Sequence, residues 1–243
     1  MRLNIIVPCR YAADNLFRLV KSVKDQTHED WRMYIAVDFD RGTADMAYAI
    51  ALDDDRIEVV ATETRLYALK NIINTIDHFR IQGPTGIIDG DDYLSRTDTF
   101  EMVVKEYEKG HQIVWTDMVS DDPYFESNNQ QHPIGADPYT SPWVSSHFRT
   151  FDSTLLSYID LRNFKDTEGN WFKRGYDQVL MLPLLHVCNN LGLSYKYIDE
   201  PCYMYRHTGS STPKEEHTGG RLESSIVNFV RARGYVGSLD TFE

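Results

Sequence analysis

The sequence predicts an α/β fold with a mostly parallel central sheet and helices on both faces. Short apolar strands alternate with amphipathic helices over about the first hundred residues, an order typical of parallel β-α-β units. The strand that ends at Ile88 runs directly into acidic residues. The chain has 243 residues, enough to bury one large core. We therefore expect one main domain that binds its ligand at the carboxyl ends of the strands.

The first half of the chain supports this fold element by element. Apolar residues at helical spacing predict helices, and short runs of β-branched residues predict strands. The predicted strands cover 4–8, 32–37, 56–60 and 86–88, and the predicted helices cover 15–24, 44–52 and 67–79.

The second half of the chain is less regular. A helix is predicted at 97–109, with Gly110 as its C-terminal stop, and a strand follows at 113–115. Residues 121–143 are rich in Asp, Asn, Gln, Pro and Gly without a clear period, which predicts a long surface loop. Further predicted elements are helices at 153–159, 177–189 and 222–233 and a strand at 195–198. The sequence leaves open whether the last helix packs on the core or on a partner.

Composition excludes several functional classes. The net charge is −12, from 37 acidic and 25 basic residues, so nucleic acid is an unlikely principal partner. No apolar run approaches the roughly 20 residues that span a bilayer, so no transmembrane segment is expected. The three cysteines show no CxxC spacing, which favours a reducing, cytoplasmic setting over a disulfide framework or a zinc site.

The acidic run Asp89-Gly90-Asp91-Asp92 follows an apolar strand. Neighbouring carboxylates repel one another unless a cation lies between them, and Mn²⁺ or Mg²⁺ prefers oxygen ligands. The position after a buried strand favours a metal site over a solvated acidic turn. An EF-hand loop is excluded because its glycine and glutamate positions hold Leu94 and Phe100. A phosphatase of the haloacid dehalogenase type is disfavoured as well, because no acidic pair follows the first strand.

Several segments together resemble the family 2 glycosyltransferases of the GT-A fold, over about residues 3–212. The opening strand IIVPCR at 5–10 is followed by Leu16, Ser22 and Gln26-Thr27, as in that family. DFDRGTAD at 38–45 stands where the family has a "DDGSxD" turn, and Lys70-Asn71 ends a segment that resembles "G…ARN". The run Asp89 to Asp92 matches the family's "DxDD" and is the most specific signal in the chain.

Three later segments extend the resemblance. SHFRTF at 146–151 is similar to the "SHLRTF" of some members, and GYDQ at 175–178 stands where the family has its acceptor-side acid. The segment 203–212 is similar to the closing "YRxHxGSxS". The resemblance implies a GT-A-like (Rossmann-like) domain at 1–212, with a nucleotide-sugar half at 1–95 and an acceptor half at 96–212. A C-terminal helix and tail at 213–243 then form an extension.

The resemblance also implies site residues. Asp177 is the expected catalytic base, although a helix N-cap is the alternative for it. The expected metal ligands are Asp89, Asp91 and His207. Residues expected to bind substrate are Pro8, Arg10, Asp38, Asp40, Asn71, Asp89, Trp143, His147 and Arg149. Capping is the structural alternative for Asp38 and Asp40, and core packing is the alternative for Trp143.

The implied function is metal-dependent, inverting transfer of a hexose or pentose. The donor would be a UDP-, GDP- or dTDP-sugar, the acceptor a hydroxyl of a glycan or glycoconjugate, and the cofactor Mn²⁺ or Mg²⁺. One alternative is a catalytically inactive nucleotide- or carbohydrate-binding module of the same fold. A nucleotidyltransferase is the other, but it would be expected to carry a glycine-rich phosphate loop after the first strand, where PCRYA at 8–12 has no glycine.

Overall fold

The computed structural model describes residues 1–207 and 219–237. The strands are β1 (Leu3–Cys9), β2 (Trp31–Val37), β3 (Ile57–Ala61), β4 (Pro84–Ile87), β5 (Tyr93–Leu94), β6 (Ile113–Ser120), β7 (Arg149–Asp152) and β8 (Tyr195–Tyr205). The helices are α1 (Ala13–Lys24), α2 (Arg41–Ala51), α3 (Tyr67–Phe79), α4 (Thr99–Glu108), α5 (Tyr176–Asn190) and α6 (Gly219–Arg233), with two 3₁₀ helices at Ser153–Tyr158 and Leu161–Phe164. The predicted α/β class is confirmed.

The described strands form one sheet in the order β3-β2-β1-β4-β7-β6-β8-β5. Strands β3, β2, β1 and β4 are mutually parallel, and β6 is parallel to β8. Strand β7 runs antiparallel to both of its neighbours, and β5 runs antiparallel to β8. The carboxyl ends of β1, β2 and β4 therefore meet at one edge, as the sequence predicts.

Alternate residues of β1 face two separate hydrophobic cores, because successive side chains of a strand point to opposite faces. Ile6 joins the core that contains α3 and α5, whereas Ile5 and Val7 join the core that contains α1 and α4. All three side chains are fully buried, and burial of such a side chain stabilises the fold by about 1.5–3 kcal/mol. Helices cover both faces of the sheet, as predicted.

Two strands were not predicted from the sequence, and one predicted α-helix is a 3₁₀ helix in the structure. The pattern gave no strand at β5 or β7, because β5 has two residues and β7, with the sequence RTFD, has no apolar alternation. Strand β7 exists because it pairs with both β4 and β6. An α-helix is predicted at residues 153–159, but Ser153–Tyr158 form a 3₁₀ helix whose first turn is capped by Asp152.

Helix α6 packs on the body of the protein. Val230 is 2% exposed and belongs to the core that contains α5. The Arg231 guanidinium donates to the side-chain oxygen of Gln178 at 2.8 Å and to the carbonyl of Ser141 at 2.7 Å. The predicted boundary between 212 and 213 lies outside the described residues. The predicted halves share one sheet, and their boundary at residue 95 stays a prediction.

The cysteines and helices bear on the compartment predictions. Cys9, Cys188 and Cys202 are free and buried. Among residues 1–207 and 219–237, none of the helices combines the length and apolar character that crossing a bilayer requires. The cytoplasmic setting stays a prediction.

Candidate active site

A pocket of about 490 Å³ lies at the carboxyl edge of the parallel strands, and we call it the central pocket. Its walls come from the ends of β1, β2 and β4, from α3, from the segment before β7 and from the start of α5. Eight residues predicted to form the site line it, namely Pro8, Arg10, Asp38, Asn71, Asp89, His147, Arg149 and Asp177. The fold therefore gathers residues from distant parts of the sequence into one cavity.

Asp89 lies at the centre of a buried network. Its carboxylate accepts hydrogen bonds from the Tyr176 hydroxyl and, at 3.3 Å, from the guanidinium of Arg149. The backbone N–H of Asp89 donates to the Tyr203 hydroxyl at 3.0 Å. Burial raises the pKa of Asp89, while the positive charge of Arg149 opposes that increase. The carboxylate is thus held in place before any ligand arrives.

Asp92 is the most buried acid of the run, at 2% exposed. It accepts hydrogen bonds from the Tyr203 hydroxyl and from the backbone N–H of Arg206, both at 2.8 Å. Burial, together with the nearby charges of Asp89 and Asp91, raises the pKa of Asp92 to about 8. Asp92 is not among the individual ligands predicted from the sequence, although it belongs to the same acidic run.

His147 completes a group of potential metal ligands. Its Nδ1 is buried without a hydrogen-bond partner among the described residues and lies 3.7 Å from Asp89 Oδ2. Burial lowers the pKa of His147 well below its usual value, so the imidazole is neutral. Ligand atoms of Asp89, Asp92 and His147 lie within 4.8 Å of one another. Two carboxylates and a neutral imidazole fit a divalent cation such as Mn²⁺.

The other two predicted metal ligands lie elsewhere. Asp91 is half-buried and is not part of this group. His207 is exposed, and its backbone N–H donates to Asp121 Oδ1 at 2.8 Å. The ring of Tyr205 neighbours both His147 and His207. The metal roles of Asp91 and His207 stay predictions.

Asp38 and Asp40 both have structural roles. The two carboxylate oxygens of Asp38 accept from the backbone N–H groups of Leu66 at 2.6 Å and Tyr67 at 3.0 Å, which ties the start of α3 to the end of β2. Asp40 caps α2 by accepting from the Thr43 N–H at 3.1 Å. Asp38 also lines the central pocket, whereas Asp40 is not among the lining residues.

Asn71 and Trp143 differ in their relation to the central pocket. Asn71 is 3% exposed and lines it, and its side-chain NH₂ group has no hydrogen-bond partner among the described residues. An unpaired buried donor is costly, so this group is suited to a ligand oxygen. Trp143 is half-buried, packs against the core of α3 and α5, and is not a lining residue. Its predicted role in substrate binding stays a prediction.

Asp177 lies in the first turn of α5 and lines the central pocket. The N-cap position of α5 is occupied by Gly175, whose φ is 63°. Asp177 therefore lies inside the helix and not at its N-cap, and Gly175 makes no side-chain capping hydrogen bond. Because Asp177 is one of the acids that raise the pKa of Asp89, the two carboxylates are electrostatic neighbours.

Basic residues that were not predicted from the sequence also line the central pocket. The guanidinium of Arg65 lies 4.3 Å from the centre of the Tyr67 ring, and the Lys173 amine lies 5.6 Å from it. Arg174 is a further lining residue. Isolated basic residues occur all along the chain, so no local signal distinguished these three.

The sequence model of Glycosyl transferase family 2 matches residues 4–170. This chain belongs to that family. The resemblance predicted from the motifs is thereby confirmed. The match covers the elements from β1 to β7 and ends before α5 and α6, so Asp177 lies beyond it.

Solved structures show the same fold. S. aureus TarS 1-349 in complex with UDP-GlcNAc has a TM-score of 0.65 and 14% identity, over 86% of this chain and 60% of that one. S. aureus TarS 1-349 in complex with UDP has a TM-score of 0.68 and 14% identity, over 98% of this chain and 68% of that one. The mannosyltransferase PcManGT from Pyrobaculum calidifontis, in complex with GDP-Man and Mn²⁺, has a TM-score of 0.64 and 16% identity, over 98% of this chain and 66% of that one.

These similarities establish the GT-A fold of this family 2 chain. The chain spans about 60% of the length of the TarS fragment bound to UDP-GlcNAc. No curated protein matches it.

Proposed function

We propose that this family 2 glycosyltransferase moves a sugar from a nucleoside diphosphate sugar to a hydroxyl of a glycan or glycoconjugate. The observation that carries the proposal is the group Asp89, Asp92 and His147. Asp89 and His147 line the central pocket, Asp92 is buried behind them, and Arg149 pairs with Asp89. The complexes of TarS with UDP-GlcNAc and of PcManGT with GDP-Man support a UDP- or GDP-sugar as donor. A dTDP-sugar stays a prediction from the sequence. The transferred sugar is a hexose or pentose.

The proposed cofactor is Mn²⁺ or Mg²⁺. Asp89, Asp92 and His147 would hold it, and Asp91 remains a further candidate from the sequence. When bound, the cation supplies positive charge that stabilises the leaving diphosphate. Arg149 would add a fixed positive charge on the same side, because its guanidinium is buried beside Asp89. The Mn²⁺ in the PcManGT complex supports this choice of ion.

Asp177 is the proposed base. Its carboxylate takes the proton of the acceptor hydroxyl while that oxygen forms a bond to the anomeric carbon. The bond between that carbon and the diphosphate oxygen breaks, and its electron pair leaves with the nucleoside diphosphate. Attack from the face opposite the leaving group inverts the anomeric configuration.

Donor binding would use the ends of the parallel strands. The side-chain NH₂ of Asn71, which has no partner in residues 1–207 and 219–237, can donate to a ligand oxygen. Arg10 carries a positive charge at the end of β1 and lines the central pocket. Pro8 and Asp38 line the same wall. These assignments use the rule that α/β sheets bind ligands at the carboxyl ends of their strands.

A binding experiment tests the nucleotide and metal parts of this proposal. UDP, GDP and dTDP are each added with MnCl₂, and the melting temperature is followed. At a nucleotide concentration of 100 times Kd, the stabilisation should be about 2.7 kcal/mol. Asp92→Asn should abolish the shift because a charged ligand is lost. It should still fold, because the amide oxygen can accept a hydrogen bond in place of a carboxylate oxygen that binds Tyr203 or Arg206. Asp53→Asn, at an exposed position, is the matched control.

A second measurement tests the chemistry. Release of nucleoside diphosphate is assayed with UDP-glucose, UDP-GlcNAc and GDP-mannose as donors. Asp177→Asn should lower the rate by about 100-fold or more, the usual contribution of a general base, and should leave the nucleotide-dependent melting shift in place. Nucleotide binding without any release would favour the inactive binding module. A melting shift that does not depend on Mn²⁺ would contradict the metal assignment.

A further inference from the structure

The C-terminal helix reaches the rim of the central pocket. Gly175 precedes α5 with φ 63°. A Cβ built at Gly175 would lie 2.9 Å from Val227 Cγ2 and 3.6 Å from Glu223 Cγ. Helix α6 is therefore in direct contact with the start of α5, at Gly175, two residues before Asp177. Only glycine allows both the left-handed backbone and this close approach.

Glu223 of α6 lines the central pocket together with Asp177. Burial raises the pKa of Glu223, the negative charge of Asp177 raises it further, and Arg174 opposes the increase. The negative charge of Glu223 also contributes to the raised pKa of Tyr205 on β8. A second carboxylate thus lines the same pocket as the proposed base, on an element outside the family match, which ends at residue 170.

The position of Glu223 is fixed by contacts elsewhere on α6. Arg231 donates to Gln178 on α5 at 2.8 Å. Arg233 donates to the carbonyls of Lys165 at 2.7 Å and Asn163 at 3.0 Å. Val230 is buried in the core. None of these contacts involves the Glu223 side chain, which is exposed at the rim of the central pocket. Docking of the helix therefore does not require the Glu223 carboxylate.

We propose that Glu223 positions the acceptor, and that Glu223 and Asp177 together bind two neighbouring hydroxyls of a sugar. An ionised carboxylate only accepts hydrogen bonds, so a pair of them selects a ligand with two adjacent donors. The reacting hydroxyl gives its proton to Asp177, and its neighbour donates a hydrogen bond to Glu223. This inference rests on the proposed function, and it names a neutral sugar with adjacent hydroxyls as the acceptor class.

Carboxyl NMR tests the pair without requiring turnover. Protein labelled with ¹³C at Asp and Glu carboxyls is titrated, and Glu223→Gln identifies the Glu223 signal. Asp177→Asn should lower the pKa of Glu223, because a neighbouring negative charge is removed. Glu108→Gln, at an exposed site at the end of α4, is the matched control for the glutamate change. An unchanged Glu223 titration in Asp177→Asn would overturn the proposal, even where the nucleotide-dependent melting shift is intact.

Kinetics test the positioning role with two acceptor probes, methyl α-D-glucopyranoside and ethanol, which has a single hydroxyl. Glu223→Gln should raise KM for the glucoside about tenfold, the effect of one lost hydrogen bond to a charged group. The rate with ethanol and the melting shift by UDP with MnCl₂ should stay within about twofold of wild type. Equal losses with both acceptors, an unchanged KM for the glucoside, or loss of the nucleotide shift would overturn the proposal. Failure of wild-type protein to bind any nucleotide, with the NMR coupling present, would instead reject the proposed function.

Discussion

Arg149 is fully buried, yet its Nε and Nη1 have no hydrogen-bond partner among the described residues. The remaining nitrogen contacts Asp89 and Tyr176. A buried charge is stable only where it is paired, so the guanidinium depends on Asp89. The two unfilled donors belong to a residue that lines the central pocket, where they are suited to the oxygens of a bound diphosphate.

Arg149→Met should destabilise the protein by up to about 3–5 kcal/mol, because it leaves the partly buried carboxylate of Asp89 without its charged partner. The double variant Arg149→Met with Asp89→Asn should recover much of that loss, since both charges are then absent. Urea unfolding at pH 7 measures the free energies of unfolding. If the losses of the two single variants simply add, the two residues are not coupled and this account of the network is wrong.

Gly90 separates the carboxylates of the acidic run and packs against β1. A Cβ built there would clash with Cys9 Cβ and lie 3.1 Å from Cys9 Cα. The glycine is therefore required by the close approach of two backbones.

Gly90→Ala should cost about 1–3 kcal/mol, as overpacking of a core does, and should weaken the melting shift caused by UDP with MnCl₂. Gly42→Ala is the matched control. Gly42 lies in the first turn of α2, and a Cβ added to it would have nothing within 4 Å, so this change should be neutral or stabilise by up to about 1 kcal/mol. Equal effects of the two changes would contradict the packing argument.

At the scale of elements, the turns at the pocket edge are conformationally strained. Tyr11, Phe39 and Tyr67 have φ values of 55°, 50° and 65°. Tyr11 follows β1, Phe39 follows β2 and Tyr67 begins α3. Left-handed backbone at such residues costs about 1–3 kcal/mol each and is concentrated at functional sites. The backbone N–H of Tyr67 donates to Asp38, so the cap that joins β2 to α3 also stabilises one of these conformations.

The turn between α2 and β3 is stabilised by an ion pair. Asp54 accepts from Arg56 Nε at 2.9 Å and Nη2 at 2.8 Å, and Lys24 lies 3.3 Å away. The Arg56 guanidinium packs over the ring of Trp31 at 3.8 Å. The hydrogen bonds from Arg56 hold the pKa of Asp54 well below its usual range. Because the pKa is lowered in the folded state, the pair stabilises the protein above pH of about 4, and that stability is lost as the pH falls.

Asp54→Asn should therefore cost about 1.5–3 kcal/mol at pH 7, the range for hydrogen bonds to charged groups. The difference from wild type should shrink as the pH falls from about 4 towards 2. Urea unfolding at several pH values measures the difference in the free energy of unfolding between Asp54→Asn and wild type. Asp55→Asn, at the exposed neighbouring position, should have little effect. A cost for Asp54→Asn that does not change with pH would contradict the assignment.

At the scale of the whole molecule, Arg231 joins three parts that are distant in sequence. From α6 it donates to Gln178 on α5 and to the carbonyls of Tyr139 and Ser141, at 3.1 and 2.7 Å, in the long segment between β6 and β7. That segment includes Phe125 and His147, which line the central pocket. The last described helix thus helps to fix one wall of the site.

Arg231→Met should destabilise the protein by about 1–3 kcal/mol, because buried carbonyls lose their donor. It should also speed cleavage by chymotrypsin after Tyr124 or Phe125, since the segment is held less firmly. Arg162→Met removes an exposed arginine that pairs with Asp160, and it should stay within about 0.5 kcal/mol of wild type. Equal cleavage rates for the two variants would show that Arg231 does not hold the segment.

Local sequence patterns were sufficient to predict the α/β class, the first four strands with the helices between them, and the acidic run at the end of β4. These features are local, because the spacing of apolar residues decides which face of a helix or strand is buried. The sequence also indicated the family, through motifs that lie close together in the chain.

Contacts between residues that are distant in sequence could not be predicted in the same way, because they depend on tertiary packing. Strand β7 has no apolar alternation and exists because its two neighbours supply hydrogen bonds. His147 joins Asp89 and Asp92 because the segment before β7 lies against the end of β4. Glu223 joins Asp177 in the lining of the central pocket because Gly175 leaves room for α6. Such contacts depend on how elements pack in three dimensions, and no periodicity along the chain records that packing.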